Sequence, residues 1–463
     1  MENFDDLDYY DSNNKNDDEK KRISKLEEET LSNLDAENLE ELVNLYFDKG
    51  NFDKALNYVN VLLDLYPYST DSWHKKALIL DGLGRYDEAI EYFDKALTLN
   101  PTDIDLYINK GIALDNSDNH EKAILNFQKA LSFNPENLDA MFNLGLTYEK
   151  TEKFTEACEC FEKIIKLYPE NIDAYYELGY CYDFLERLDE SLVAYDAHLD
   201  KNPLNFNCWY NKGIVLNRMG RYMQAIENYE MCLAIKSNFA PAWYNCGNAY
   251  ASVGRFYKAI EYYKISLEYK KDNAFALQNI GNSYEEIGEY EESIKYFSDA
   301  IKYDVKNYES FYGRGNCYFN LKEYEKAIED LKSALVLCKD YSDIWYLKGD
   351  AEFALNKLED AKKSYETVLN LDPDNYDAWF DYGCVLCDTK DYEDAIKALD
   401  ESLKLNPSWA DPHFEKAKIY FLIGDLEQGV FSLEHGFKLS PEERFEYDFN
   451  KDWKKILEFL TAR

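Results

Sequence analysis

Asparagine recurs on a 34-residue spacing at Asn109, Asn143, Asn211, Asn245 and Asn279, and three residues further on at Asn248, Asn282 and Asn316. A carboxamide offers both a donor and an acceptor. A ladder of them can pair with the main chain of an extended peptide without reading its side chains. Each such bond is worth about 1 kcal/mol net, so several must act together to offset the ordering of a flexible partner. Just ahead of the asparagines runs an aromatic column: Phe142, Tyr176, Tyr210, Tyr244, Tyr312, Tyr346, Phe380 and Phe414. Aromatics of that regularity suit anchoring contacts to a partner or to a neighbouring repeat. An acidic column accompanies them, with Asp71, Asp105, Asp139 and Asp173, then Glu309, Asp343, Asp377 and Asp411. An aspartate near a helix start also serves capping and the helix dipole. That explanation does not extend to a second acidic column at Asp81, Asp115, Glu149 and Asp183.

These residues point to reversible recognition rather than bond-making. The five histidines are scattered, and none lies at a recognisable spacing from a nucleophile and an orienting acid. The glycines follow the 34-residue period and form no phosphate loop. The carboxylates sit on solvated faces, where they make no acid–base pair. Cys384 and Cys387 form a single CxxC inside a helix, without a second ligand pair, and Cys158 and Cys160 point in different directions. The expectation is no catalytic residue, no cofactor and no metal site.

The elements that position the columns follow from the period. Ala242-Trp243-Tyr244-Asn245-Cys246-Gly247, then Gly254-Arg255-Phe256-Tyr257-Lys258-Ala259-Ile260, echo Trp209-Tyr210-Asn211-Lys212-Gly213 and Gly220-Arg221-Tyr222-Met223-Gln224-Ala225-Ile226 34 residues earlier. The register runs without insertion through twelve repeats of 34 residues. Position 1 is set at residue 36 and every 34 residues thereafter. Position 4 is then large (Trp73, Tyr107, Met141, Tyr175, Trp209, Trp243), and position 8 is glycine from Gly111 to Gly383 in nine repeats. Positions 4, 8 and 11 share one helical face. A glycine inside a helix costs roughly 1 kcal/mol relative to alanine, so its recurrence predicts a close approach by a neighbour. Positions 20, 24 and 27 repeat that logic on a second helix, as in Ala123, Phe127 and Ala130, and Pro101, Pro135, Pro169, Pro203, Pro373 and Pro407 stop it.

This pattern resembles the tetratricopeptide repeat family. The resemblance implies an all-α fold, a right-handed superhelix (α-solenoid) of about twelve helix-turn-helix repeats. It also implies that positions 2, 5, 6, 9 and 12 line a concave groove, where peptide-binding members of the family use the asparagine column. The peptide-binding expectation therefore falls on Asn109, Asn143, Asn211, Asn245, Asn279, Asn248 and Asn282, with Tyr176, Tyr210 and Tyr244 as anchors. Asp105, Asp139 and Asp173 would attract basic side chains. The family's clamp for a chaperone's terminal carboxylates needs Lys at position 5; no repeat here has it, and position 2 is acidic.

Composition bounds the partner. Asp and Glu number 90 against 52 Lys and Arg, a formal net charge of −38. Nucleic acid and anionic membrane need a basic footprint, so neither nucleic-acid binding nor membrane insertion is expected. High negative charge also keeps a long solenoid soluble. The N-terminus lacks the apolar core of a secretory signal. Ten cysteines scattered through helices suggest reduced thiols and a cytoplasmic setting.

The chain is expected to comprise an acidic disordered head (1–20), a short N-terminal helix (21–35), the repeats (36–443) and a C-terminal capping helix (444–463). Repeats six to nine carry Ser237, Lys271, Val305 and Lys339 in place of the terminal proline. Their second helices would then run on or turn more softly. His198 occupies a usually small position and reads as packed and hydrogen-bonded. The function expected is a non-catalytic scaffold that binds an extended, basic or mixed protein segment in its groove. The alternative is an architectural subunit that uses its convex face and ends to join an assembly or itself.

Overall fold

The computed structural model describes residues 22–23, 25–28 and 35–441. The expected head (1–20) and capping helix (444–463) lie outside the described residues, as do parts of 21–35. The chain divides into two units between Gly220 and Arg221. Among the described residues every element is helical. Within each unit a 13-residue first helix, such as Ile172–Phe184, packs on a 14-residue second helix, such as Leu188–Lys201.

Three local devices recur along the hairpins. The first helix is capped from the preceding repeat. The position-34 side chains of Ser69, Asp103, Asn137, Asn171, Asn205, Asn273, Asn307 and Asn375 accept the N–H of the residue three further on. That is a signal the asparagine-rich sequence carries in plain view. The turn after the first helix passes through position 15, which is left-handed in all twelve repeats. It is glycine in six of them (φ +69° to +86°) and Asp118, Glu152, Glu186, Lys322, Asn356 or Lys390 in the others (φ 56° to 68°). The chain turns there with paired returns such as Gly84 N–H to Asp81 O (2.8 Å) and Arg85 N–H to Leu80 O (2.9 Å).

The third device is the position-4 indole. Trp73, Trp209, Trp345 and Trp379 donate at 2.9 Å to the carbonyls of Pro67, Pro203, Lys339 and Pro373, six residues back. Trp243 does the same to Ser237 at 2.7 Å. This pins the inter-repeat turn whether or not position 32 is proline. The second helices of repeats six to nine end at Ile235, Tyr269, Tyr303 and Leu337, the same position as in proline-bearing repeats, and this holds for repeats seven and eight too, where Leu277 and Phe311 stand in place of the indole. They do not run on.

The core lies slightly off the face read from the sequence. Position 4 rings are mostly half-buried. The fully buried columns are position 3 (Ala140, Ala174, Cys208, Ala242, Ala276), position 10 (Ala113, Cys181, Val215, Ala249, Cys317) and position 20 (Ala55 to Ala395), all at 0% exposure. Position 8 glycine is approached by a ring of its own repeat's second helix rather than by a backbone. A Cβ on Gly145 would lie 2.6 Å from Phe161, and one on Gly247 would lie 2.6 Å from Tyr263. Position 25 joins neighbouring repeats, through Lys110 to Asp94 (2.5 Å), Tyr182 to Glu162 (2.7 Å) and Tyr382 to Glu366 (2.8 Å). At the N-terminal end, Ile23 and Leu26 are buried against Leu42, Val43 and Tyr46 of the first repeat. Glu27 accepts from the hydroxyls of Tyr46 (2.6 Å) and Tyr58 (3.0 Å), the first of which chiefly holds its carboxyl below the usual range.

Candidate functional site

The candidate surface is the face of the first helices formed by positions 2, 5, 6, 9 and 12. Its aromatic column is half-buried rather than projecting. Four of the position-5 rings lean on the position-24 ring of their own repeat: Tyr176 on Tyr195 (6.0 Å), Tyr244 on Tyr263 (5.8 Å), Phe142 on Phe161 (5.7 Å), Tyr346 on Tyr365 (5.9 Å). The expected anchor Tyr210 is likewise half-buried. These rings form the wall of the face, with their hydroxyl edges toward the asparagines.

Those asparagines are engaged within the protein. Asn211 Nδ2 donates to the Tyr176 hydroxyl at 3.0 Å. Asn279 Nδ2 donates to Tyr244 (3.2 Å) and to Asn248 Oδ1 (2.9 Å), which also accepts from Tyr263 at 2.8 Å. Asn109 Nδ2 lies 2.9 Å from His74 Nε2, so the imidazole accepts there and is neutral; burial lowers its pKa. Asn143 faces Ile108 in the preceding repeat, which offers no acceptor, and turns back to its own helix at Asp139 O (2.8 Å). Asn245 is half-buried and Asn282 is exposed. The column is thus in part an inter-repeat strut, in which Asn109, Asn211 and Asn279 spend amide hydrogens, whereas Asn143 is bonded within its own helix.

In repeats ten and eleven the same geometry is built from acids. Tyr365 donates to Asp350 at 2.6 Å and Tyr346 donates to Asp381. Burial pushes the Asp350 carboxyl up to about 7 and raises Asp381 as well. Burial likewise lifts Glu177 to about 8 and Glu149 to about 7, and Glu149 accepts from the Cys181 thiol at 3.0 Å.

The two acidic columns differ. At position 12, Asp115 pairs with Lys150 and His120, and Asp183 pairs with Arg218. Their charge is largely met inside the protein. At position 2, Asp71, Asp105, Asp139 and Asp173 in one unit, and Glu309, Asp343, Asp377 and Asp411 in the other, are all exposed. None forms an ion pair among the described residues. Position 34 caps six of these eight helices, and the helices of Asp343 and Asp411 have no side-chain cap, so the cap is not what holds the position-2 acids.

His198 is buried as expected. Its Nδ1 donates to Ile172 O (2.8 Å), and its Nε2 accepts from Asn205 Nδ2 (2.8 Å). All ten cysteines are free thiols. Among the described residues there is no cluster of three or more His, Cys, Asp or Glu able to hold a metal ion, and no helix long and apolar enough to cross a membrane.

Paired helices on a 34-residue period, locked by a position-8 cradle and presenting one polar face of first helices, define a helical-hairpin repeat protein. Family models described as tetratricopeptide repeat match residues 70–103, 92–124, 138–171, 160–192, 206–239, 240–273, 276–307, 308–341 and 346–410. The chain belongs to the tetratricopeptide repeat family, whose members serve as protein-interaction scaffolds.

Among solved structures it is similar to YrrB, a tetratricopeptide protein with a peptide-binding site (20% identity, 40% of this chain and 95% of that one, TM-score 0.38). It is also similar to the Cut9–Hcn1 hetero-tetramer of the APC/C (16%, 91% and 96%, TM-score 0.40). A third is the C-terminal part of a tetratricopeptide protein from Cytophaga hutchinsonii (16%, 50% and 95%, TM-score 0.45). Comparison with curated protein sequences gives no match.

Proposed function

We propose that the chain is a non-catalytic scaffold that binds an extended, basic or mixed segment of a partner protein along the face of its first helices. The observation that carries this reading is the position-2 column: eight exposed carboxylates that the chain's own lysines and arginines leave unpaired. First-helix cations such as Lys110, Lys212, Lys416, Lys150 and Arg218 pair instead with acids at positions 25 and 12. A basic segment is the complement of such a column, by attraction at a distance and by selection against acidic competitors. Asn143, Asn211, Asn245 and Asn279 are the choice for main-chain contacts, and Tyr210 and Tyr244 for flanking apolar contact. The same charge disfavours nucleic acid.

The test is affinity purification from the native host. The wild type is compared with an Asp105→Asn, Asp139→Asn, Asp173→Asn variant, all exposed positions, with the fold of the variant checked by circular dichroism. Partners lost from the variant support the reading, and their shared segment defines the ligand. Partners retained in full overturn it.

One observation favours a second reading, an architectural subunit acting through its outer face. Val193 is 70% exposed, beside Ile165, Tyr175, Leu178 and Tyr182 in a largely apolar depression of about 370 Å³ on the second-helix side. Concentration-dependent association abolished by Val193→Glu would favour that reading.

A further inference from the structure

Three departures from the repeat pattern converge on one spot in repeats eight and nine. Position 5 of repeat eight is Gln278 rather than an aromatic ring. Its amide turns inward, buried, accepting from Asn307 at 2.6 Å and donating to Glu309 at 2.6 Å. Position 6 of repeat nine is Gly313, where five other repeats carry the strut asparagine. A Cβ there would lie 2.4 Å from the Phe297 ring. Position 34 of repeat nine is Tyr341, where eight repeats place a capping Ser, Asp or Asn, and Tyr341 makes no side-chain cap bond. Local rules broken together at one place, without a local gain, mark function rather than drift.

The result is a cavity of about 220 Å³ whose walls include Tyr308, Tyr312 and Tyr341. The Tyr341 ring meets Tyr308 at 6.2 Å and 60°, and Tyr312 at 6.1 Å and 82°. Glu285 and Glu309 complete the lining. Each is oriented by an amide, Glu285 by Asn316 at 2.5 Å and Glu309 by Gln278. Neither forms an ion pair among the described residues. Repeat eleven carries aromatics at the same three positions, Tyr376, Phe380 and Trp409, but there Phe380 and Trp409 close on each other at 4.6 Å. The open arrangement therefore belongs to repeat nine.

Aromatic walls attract a cation through their negative faces, and carboxylates supply the counter-charge. Rings set steeply to one another suit a compact ammonium, which can meet several faces at once, whereas a planar guanidinium stacks on one. We propose that this cavity is a cage for the alkylammonium head of a lysine side chain carried by a partner segment. The proposal deepens the reading of the first-helix face as a peptide site and rests on it.

The probe is the peptide acetyl-Ser-Gly-Lys-Gly-Ser-amide, compared with its norleucine counterpart, titrated calorimetrically into the full chain at low ionic strength. The lysine peptide is expected to bind at least about five-fold more tightly. Tyr341→Ala should abolish that preference. The substitution leaves net charge unchanged and removes no cap, so the loss isolates the ring from the general attraction of an acidic protein. Glu309→Gln should weaken the lysine peptide with the ring in place.

Equal binding of the two peptides overturns the cage. So does wild-type binding of the lysine peptide by both folded variants. Partners lost on neutralising Asp105, Asp139 and Asp173 but unmoved by Tyr341→Ala sink the cage and leave the wider reading standing. Cage-dependent peptide binding with every partner retained by the aspartate variant does the reverse.

Discussion

The carboxamide of Asn211 donates to the hydroxyl oxygen of Tyr176, 35 residues earlier, at 3.0 Å. The bond joins position 6 of one repeat to position 5 of the repeat before. It recurs as Asn279 to Tyr244 and, with the roles of donor and acceptor exchanged, as Tyr346 to Asp381. The residues best suited to hold a partner's main chain are the same residues that tie repeats together. Tyr176→Phe keeps the ring and removes the acceptor. It should cost about 1 kcal/mol, read as a lower denaturation midpoint in urea, with Tyr176→Ala costing several-fold more through the lost packing. An unchanged midpoint in Tyr176→Phe would show that the strut contributes nothing.

Position 8 is glycine because a second-helix ring occupies the space a Cβ would need. Gly145→Ala would place a carbon 2.6 Å from Phe161 and should destabilise by about 1–3 kcal/mol. Against leucine the approach is longer than 2.6 Å, at 3.2 Å for Gly315 on Leu331 and 2.9 Å for Gly383 on Leu399. Phe161→Leu should therefore rescue part of the Gly145→Ala loss. A double-mutant cycle that is additive within about 0.3 kcal/mol would deny the coupling.

Position 15 is left-handed even where it is not glycine. Glu152 sits at φ 58°, a conformation that costs a side-chain-bearing residue about 1–2 kcal/mol. Glu152→Gly should recover part of this and raise the thermal midpoint, while Gly84→Glu at φ 72° should lower it. Calorimetry on the two variants would test the sign in both directions.

Asp350 stands where repeat seven has Asn248, and both accept from a position-24 tyrosine. Burial lifts its folded pKa to about 7 from 3.8. The folded state therefore holds the proton more tightly than the unfolded chain. This contribution to stability is present at low pH and is lost as pH rises toward 7. Asp350→Asn removes the titration and keeps the acceptor. The variant should melt about 1–3 °C above the wild type at pH 8, with the gap closing near pH 4. A constant offset at every pH would refute the assignment.

Partner binding through position 2 should be salt-sensitive, because exposed charges are screened within about 8–10 Å at physiological ionic strength. Affinity for a captured basic segment should fall as sodium chloride is raised. The fall should be shallower in the Asp105→Asn, Asp139→Asn, Asp173→Asn variant. Parallel salt profiles would remove these residues from the interface.

Much of the fold was legible in the residues themselves. Period, glycine and small-residue columns gave the repeat and its two helices, because each hairpin buries a local pattern against neighbours of the same pattern. The position-32 proline misled: the second helices end at the same place without it, after repeats six and nine with an indole bond to the backbone carbonyl, and Trp243 to Ser237 cannot be read from spacing alone. The columns Asn109–Asn279 and Asp71–Asp411 were equally visible, but not their separate fates. Whether an amide is spent between repeats or within its own helix follows the residue 35 places back, a tyrosine for Asn211 and an isoleucine for Asn143.

The sequence by itself determined the architecture and the chemistry of the exposed face, since both follow from period and residue type. Only the tertiary structure decided which side chains on that face are already paired. It alone brought Tyr308, Tyr312 and Tyr341 around an open space, because contacts between repeats depend on the absence of filling groups at Gln278 and Gly313 as much as on the residues present.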